Sequence, residues 1–242
     1  MDLVEALDAD TGVVCVVGAG GKKTTLYTLA DRVERAVITA TVRIPIFDDN
    51  VADVVVTDDP RAAIEDATTW PLGVVPERER EDRYRGYDFE VITALSDEPP
   101  ANVVLVKADG ARTRLLKAPN QSEPQIPSGA DTVVPIASAQ VVGKPLDSEY
   151  VHRPERVAEV TGLEPGHRIR PVDVATVLAS ENGGRRRVPD GATVVPVVNM
   201  VDDDDAEAVG REIARAVLER ADVPRVVLTR MVAPDPVVAV VD

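Results

Sequence analysis

The feature that most constrains this chain is a rhythm. Short runs of Val, Ile and Leu recur along its 242 residues, each separated from the next by a helical or turn-forming segment. The runs at 13–18, 36–41, 52–57, 72–75, 102–110, 131–138, 192–202, 225–231 and 237–242 read as strands. Several are apolar throughout rather than alternating, as strands covered on both faces are. Between them, apolar spacing predicts helices over 24–35, 60–67, 88–96, 152–163, 170–180 and 203–221. The charged stretch "PERERED", 76–82, reads as a solvated turn or helix start. Strands alternating with helices predict an α/β fold with a mostly parallel sheet, three layers in all. With no repeat and no long linker, one domain over 1–242 is expected.

In such sheets, ligands bind beyond the carboxyl ends of the strands. The first strand runs into "VVCVVGAGGKKTTLYTLADRV", residues 13–33. Gly18, Ala19, Gly20 and Gly21 are followed by Lys22, Lys23, Thr24 and Thr25, and then a helical pattern. Glycines let consecutive N–H groups converge on one anion, and a helix start adds unpaired N–H groups and positive dipole. The expectation is a phosphate-binding loop and a P-loop-like nucleotide-binding fold. Its N–H groups cradle the phosphates of ATP or GTP, Lys22 or Lys23 neutralises developing charge, and Thr24 helps hold Mg²⁺. The usual G-x-x-x-x-G-K-[ST] spacing is not met. Either Lys23-Thr24 takes the Lys-Thr role with Lys22 replacing a glycine, or the loop is short and Lys22 reaches the phosphates. A dinucleotide fingerprint fits less well: Lys23 sits at its third glycine, and the next strand ends "ITATVR" with no acid for a ribose hydroxyl.

Two further strand ends carry polar residues. "VVLVKADGA" finishes on Asp109, where a second acid would hold Mg²⁺. "VVPVVNMVD" places Asn199 and Asp202 where an N-K-x-D element would read guanine, with Met200 in the lysine position. Either set also serves as a turn or helix cap. The catalytic candidates are Lys22, Lys23 and Asp109. Arg112, Lys117, His152 and Arg153 are candidates for a second, anionic substrate. "TATVRIP", 39–45, is a candidate γ-phosphate-sensing segment, with Thr41 near the metal.

Net charge is −15, from 42 acidic and 27 basic residues, which argues against nucleic acid and anionic membranes as partners. It resembles the surface of a protein from a high-salt cytoplasm. Only five of the cations are lysines: Lys22, Lys23, Lys107, Lys117 and Lys144. No apolar run is long enough to span a bilayer, and no signal peptide precedes the first strand, so a cytoplasmic location is expected. The single cysteine, Cys15, sits in an apolar strand and reads as a buried hydrophobe.

Taken in order, "VVGAGGKKTTLYTLA", "ADGARTRLLKAP" with "EPQIP" behind it, "GKPL…VHRPE" and "VVNMVD" resemble the YqeC-like family. These are accessory proteins of selenium-dependent molybdenum hydroxylases. The resemblance runs over about 12–231 and implies a nucleotide-binding protein acting in maturation of a molybdenum hydroxylase or its molybdopterin cofactor. It implies motif roles for Gly18, Gly20, Gly21, Lys22, Lys23, Thr24, Asp109, Gly110, Lys117, Pro119, His152, Arg153, Asn199 and Asp202. Many relatives have GAGGKTT and N-K-x-D, so the second lysine and Met200 are departures. The expected chemistry is phosphoryl or nucleotidyl transfer, or NTP hydrolysis. The alternative is a nucleotide-gated chaperone that docks on a molybdoenzyme.

Overall fold

The computed structural model describes residues 1–96 and 100–242. Nine strands form the body of one ten-stranded sheet: β1 Gly12–Gly18, β2 Ala36–Ala40, β3 Asp53–Val56, β4 Leu72–Val75, β5 Val103–Lys107, β6 Thr132–Ser138, β7 Val197–Asn199, β8 Val226–Thr229 and β9 Val237–Val241. Their order across the sheet is β9-β8-β7-β6-β1-β5-β2-β4-β3, and every pair is parallel except β8 with β9. The tenth, Thr193–Val194, pairs with β6. The expected single strand over 192–202 is therefore broken. Pro196 separates the two pieces and brings no N–H to a ladder.

Helices cover both faces, in the three layers expected. On one face, Leu26 and Leu29 of α2 (Lys22–Ala30) pack with Leu3 of α1 (Leu3–Ala6) and with Leu7 on Val14, Val16, Ile38 and Leu105. On the other, Ile64 of α3 (Pro60–Glu65) and Ile92 of α4 (Phe89–Ser96) pack on Val13, Cys15, Val37 and Val104. Beside them, Val157 of α5 (Pro154–Thr161), Val174 and Val177 of α6 (Pro171–Ala179) and Ile213 of α7 (Asp204–Leu218) share a core with Val198, Val226 and Leu228. Neighbouring residues of β1 thus enter opposite cores, which is why the strand is apolar at every position. Cys15 is fully buried, as expected, and burial pushes its thiol far up.

In "PERERED", Glu81 and Asp82 make a turn, but Glu77–Arg80 before them is a strand and not a helix start. Glu77–Arg80 and Arg83–Arg85 form an antiparallel hairpin, joined by Ile44–Pro45 into a three-stranded sheet. Glu77–Arg80 is charged at every position, and the other two strands offer only Ile44 and Tyr84 to the core, so apolar periodicity could not reveal them. A two-stranded parallel ladder joins Leu116–Lys117 to Val151–His152. Among the described residues, no helix is long and apolar enough to cross a membrane.

Candidate functional site

β1 is where the chain changes sides. Strands β2 to β5 lie on one flank of it and β6 to β9 on the other. A cavity of about 710 Å³ opens at this switch point, beyond the carboxyl ends of β1 and β5. The glycine loop is its floor. The hairpin side supplies Val42 to Pro45, Asp82 and Arg83, and the opposite wall Gly110 to Arg114, Glu123, His152 and Arg153.

Gly18, Gly20 and Gly21 all have positive φ, at 89°, 91° and 134°. A side chain on Gly18 would run into the Ile136 carbonyl, and one on Gly21 into the Asn199 amide. Gly21 caps α2, which starts at Lys22, two residues earlier than expected. The main-chain N–H groups of Gly20, Gly21, Lys22, Lys23 and Thr24 find no acceptor among the described residues. These are consecutive donors around a helix start, an arrangement that collects one anion. Ala19 is different: its N–H is used by the Ile136 carbonyl at 2.9 Å.

The two lysines have separate fates. Lys22 is buried; its Nζ donates to the Gly18 carbonyl and sits 2.9 Å from Asp109 Oδ1. Burial pulls its ammonium below the usual lysine range, against the pull of Asp109. Lys23 lines the cavity and has no ion-pair partner among the described residues. Thr24 also lines it, whereas the Thr25 hydroxyl turns back to the Gly21 carbonyl at 3.2 Å.

Asp109 is 2 % exposed and lies behind Lys22 rather than on the cavity wall. Its Oδ2 accepts from Gly18 N at 2.9 Å and faces Lys117 Nζ at 2.9 Å. Burial opposes its charge, but Lys22 and Lys117 outweigh burial and hold the carboxyl below the usual range. Lys117 also donates to the Gly110 carbonyl at 2.5 Å and to Glu123 Oε2 at 2.7 Å, and Arg153 holds the same Glu123 oxygen at 2.6 Å. Charges therefore alternate along Lys22, Asp109, Lys117, Glu123 and Arg153.

The magnesium pair expected at Thr24 and Asp109 does not fit this arrangement. Ammonium groups face both Asp109 oxygens, and one of these oxygens also holds the Gly18 N–H. Thr41, expected near the metal, donates its hydroxyl to the Gln125 carbonyl at 2.6 Å. Among the described residues, no group of three His, Cys, Asp or Glu side chains is placed to hold a metal ion.

Of the expected substrate residues, Arg112, His152 and Arg153 line the cavity, while Lys117 is enclosed beneath it with no side-chain exposure. His152 pairs in register with Lys117. Burial, then Arg153 and Lys117, push its imidazole down to about 4, so it is neutral at pH 7. The expected base-reading residues face elsewhere. The Asn199 amide donates to the Gly20 carbonyl at 2.8 Å and accepts from Thr229 and Met231, while Asp202 is exposed and accepts from Gln140. Neither lines the cavity.

Two residues join the site that are not among the expected site residues. Lys107, the last residue of β5, is buried and lines the cavity, donates to the Arg43 carbonyl at 2.8 Å, and is brought down to about 7 by burial and then by Lys22. Glu123 lies in a proline-rich loop and ties Lys117 to Arg153. Among the described residues, four of the six non-glycine residues with positive φ also line the cavity: Arg112, Thr113, Arg153 and Met200. Each such conformation costs about 1–3 kcal/mol, and held backbone of this kind gathers at working sites.

An α/β protein with a glycine loop at its switch point and a cationic cavity above it is the class that fold and site define. The chain belongs to the YqeC family, whose model matches residues 14–155. It is 33% identical over 159 residues to the uncharacterized protein YqeC of Escherichia coli (strain K12), a match covering 63% of this chain and 62% of that relative.

Proposed function

We propose that the protein binds a nucleoside triphosphate, ATP or GTP, with its phosphates on the 20–24 loop, and transfers a phosphoryl or nucleotidyl group to a second anionic substrate. The observation that carries this reading is the run of unpaired N–H groups from Gly20 to Thr24 beneath a cationic cavity. Supporting it, Lys22, Lys23, Arg43, Arg83, Lys107, Arg112, Arg114 and Arg153 line that cavity against Asp82 and Glu123, in a chain of net charge −15. Of the five lysines in the sequence, only Lys144 lies away from the site.

Lys23 contacts the phosphates directly, while Lys22 and Asp109 hold the loop in shape. Arg112, Arg153 and neutral His152 receive the second substrate. The place of this step, preparing a molybdenum hydroxylase or its molybdopterin cofactor, follows from the family resemblance and is part of the proposal. Calorimetric titration with ATP, GTP and CTP tests the reading. Binding of a triphosphate that is abolished in a Lys22→Ala, Lys23→Ala double variant with an unchanged circular dichroism spectrum supports it. Affinity unchanged in that variant, or no binding to the folded wild type, overturns it.

A further inference from the structure

The site that would hold a metal ion is filled with lysine. Asp109, the acid nearest the loop, has Lys22 at one oxygen and Lys117 with the Gly18 N–H at the other. The acids that do line the cavity are also committed. Glu123 is held by Lys117 and Arg153, and Asp82 is paired with Arg83 on the far wall. Among the described residues, no unpaired carboxylate lines the cavity to draw a divalent cation. Four cavity cations, by contrast, have no carboxylate partner among the described residues: Lys23, Lys107, Arg112 and Arg114. Lys23 is the second residue of α2 and Lys107 is only 6% exposed. Bringing a doubly charged cation among them would cost electrostatic energy, most of all where water is scarce.

Resting on the phosphate reading above, we infer that the loop takes its phosphate ligand free of divalent metal, with Lys22 and Lys23 supplying the positive charge in its place. The ligand class is a metal-free polyphosphate or phosphate ester. Magnesium withdraws such a ligand from the site by neutralising it in solution. Lys23 is the residue that makes the difference, because Lys22 is already bound to Asp109 and the Gly18 carbonyl.

The test uses the full chain, titrated calorimetrically with inorganic tripolyphosphate and with ATP and GTP. Each titration is run once in EDTA and once in excess MgCl₂ at matched ionic strength. The dissociation constant in EDTA is expected to fall below that in magnesium; equal or tighter binding in magnesium overturns the inference while leaving the phosphate reading intact. If neither tripolyphosphate nor a nucleotide binds in either medium, both readings fall together. A Lys23→Thr variant, checked for an unchanged thermal unfolding midpoint, separates the two further. It is expected to bind tripolyphosphate in EDTA about tenfold more weakly, the loss of one charge-assisted contact. Affinity in EDTA equal to that of the wild type would remove Lys23 from the role assigned here.

Discussion

At the scale of single residues, Asp109 organises the site. It holds Lys22, Lys117 and the first glycine of the loop at once, all out of water. Removing its charge leaves two buried ammonium groups facing each other. Asp109→Asn is therefore expected to destabilise the fold by about 3–5 kcal/mol, measured by urea unfolding. Its folded carboxyl titrates below its unfolded one, so the stability it contributes is present above the ordinary aspartate range and lost as pH falls through the folded value. Lys107 works in the opposite sense. Between its folded value of about 7 and its ordinary 10.5, the unfolded chain binds a proton that the folded chain has shed, so stability rises with pH across that window. An anion beside Lys107 restores the proton. Tripolyphosphate binding is expected to take up protons near pH 7, and affinity to fall as pH rises through that value. Titrations in buffers of differing ionisation enthalpy check the uptake, and Lys107→Met should abolish it. The sequence made Asp109 legible because it follows a strand at the carboxyl edge of a parallel sheet, although it lies behind Lys22 and not on the cavity wall. Lys107 and Glu123 stand inside quoted stretches, but their part in the site was not legible. One reads as the polar end of an apolar strand, and the other reaches Lys117 only through a loop with no periodicity.

At the scale of elements, α2 begins against its own electrostatics. Two lysines occupy its first turn, where the helix dipole favours acid, at a cost of about 0.3–1 kcal/mol each. No acidic residue of that turn offsets them. Lys23→Glu is expected to raise the stability of the free protein by up to about 1 kcal/mol while abolishing phosphate binding. Thermal unfolding with and without tripolyphosphate checks both parts, since ligand should raise the midpoint of the wild type alone. The apolar pattern located α6 and α7 nearly to their ends, because buried stripes fix a helix whatever its caps. It missed the 77–85 hairpin, whose first strand is charged at every position and whose second offers only Tyr84 to the core, too little to make a period.

At the scale of the molecule, the sheet order and its layers were legible only as a class. Alternation of strand and helix predicts parallel pairing. Which strand lies beside β1 depends on contacts between residues far apart in the chain, such as Val14 with Leu105 and with Thr132. The net charge of −15 acts over the whole body, and its self-repulsion opposes compactness. Adding KCl is expected to raise the thermal midpoint until screening is complete, with a Debye length of about 10 Å at 0.1 M setting the scale. A falling midpoint would mean that the paired charges of the site matter more than the surface. The Asn199 amide gives the last consequence. It binds the Gly20 carbonyl on one side and Thr229 and Met231 on the other, joining the glycine loop to β7 and β8. Those anchors lie outside residues 14–155, the stretch that carries the family signature. A fragment cut to that signature would keep every cation of the cavity but lose the tie that sets the loop's curvature. The recognisable part of this family is therefore not a portable module: grafted alone, it would carry the right letters without the shape that gives them meaning.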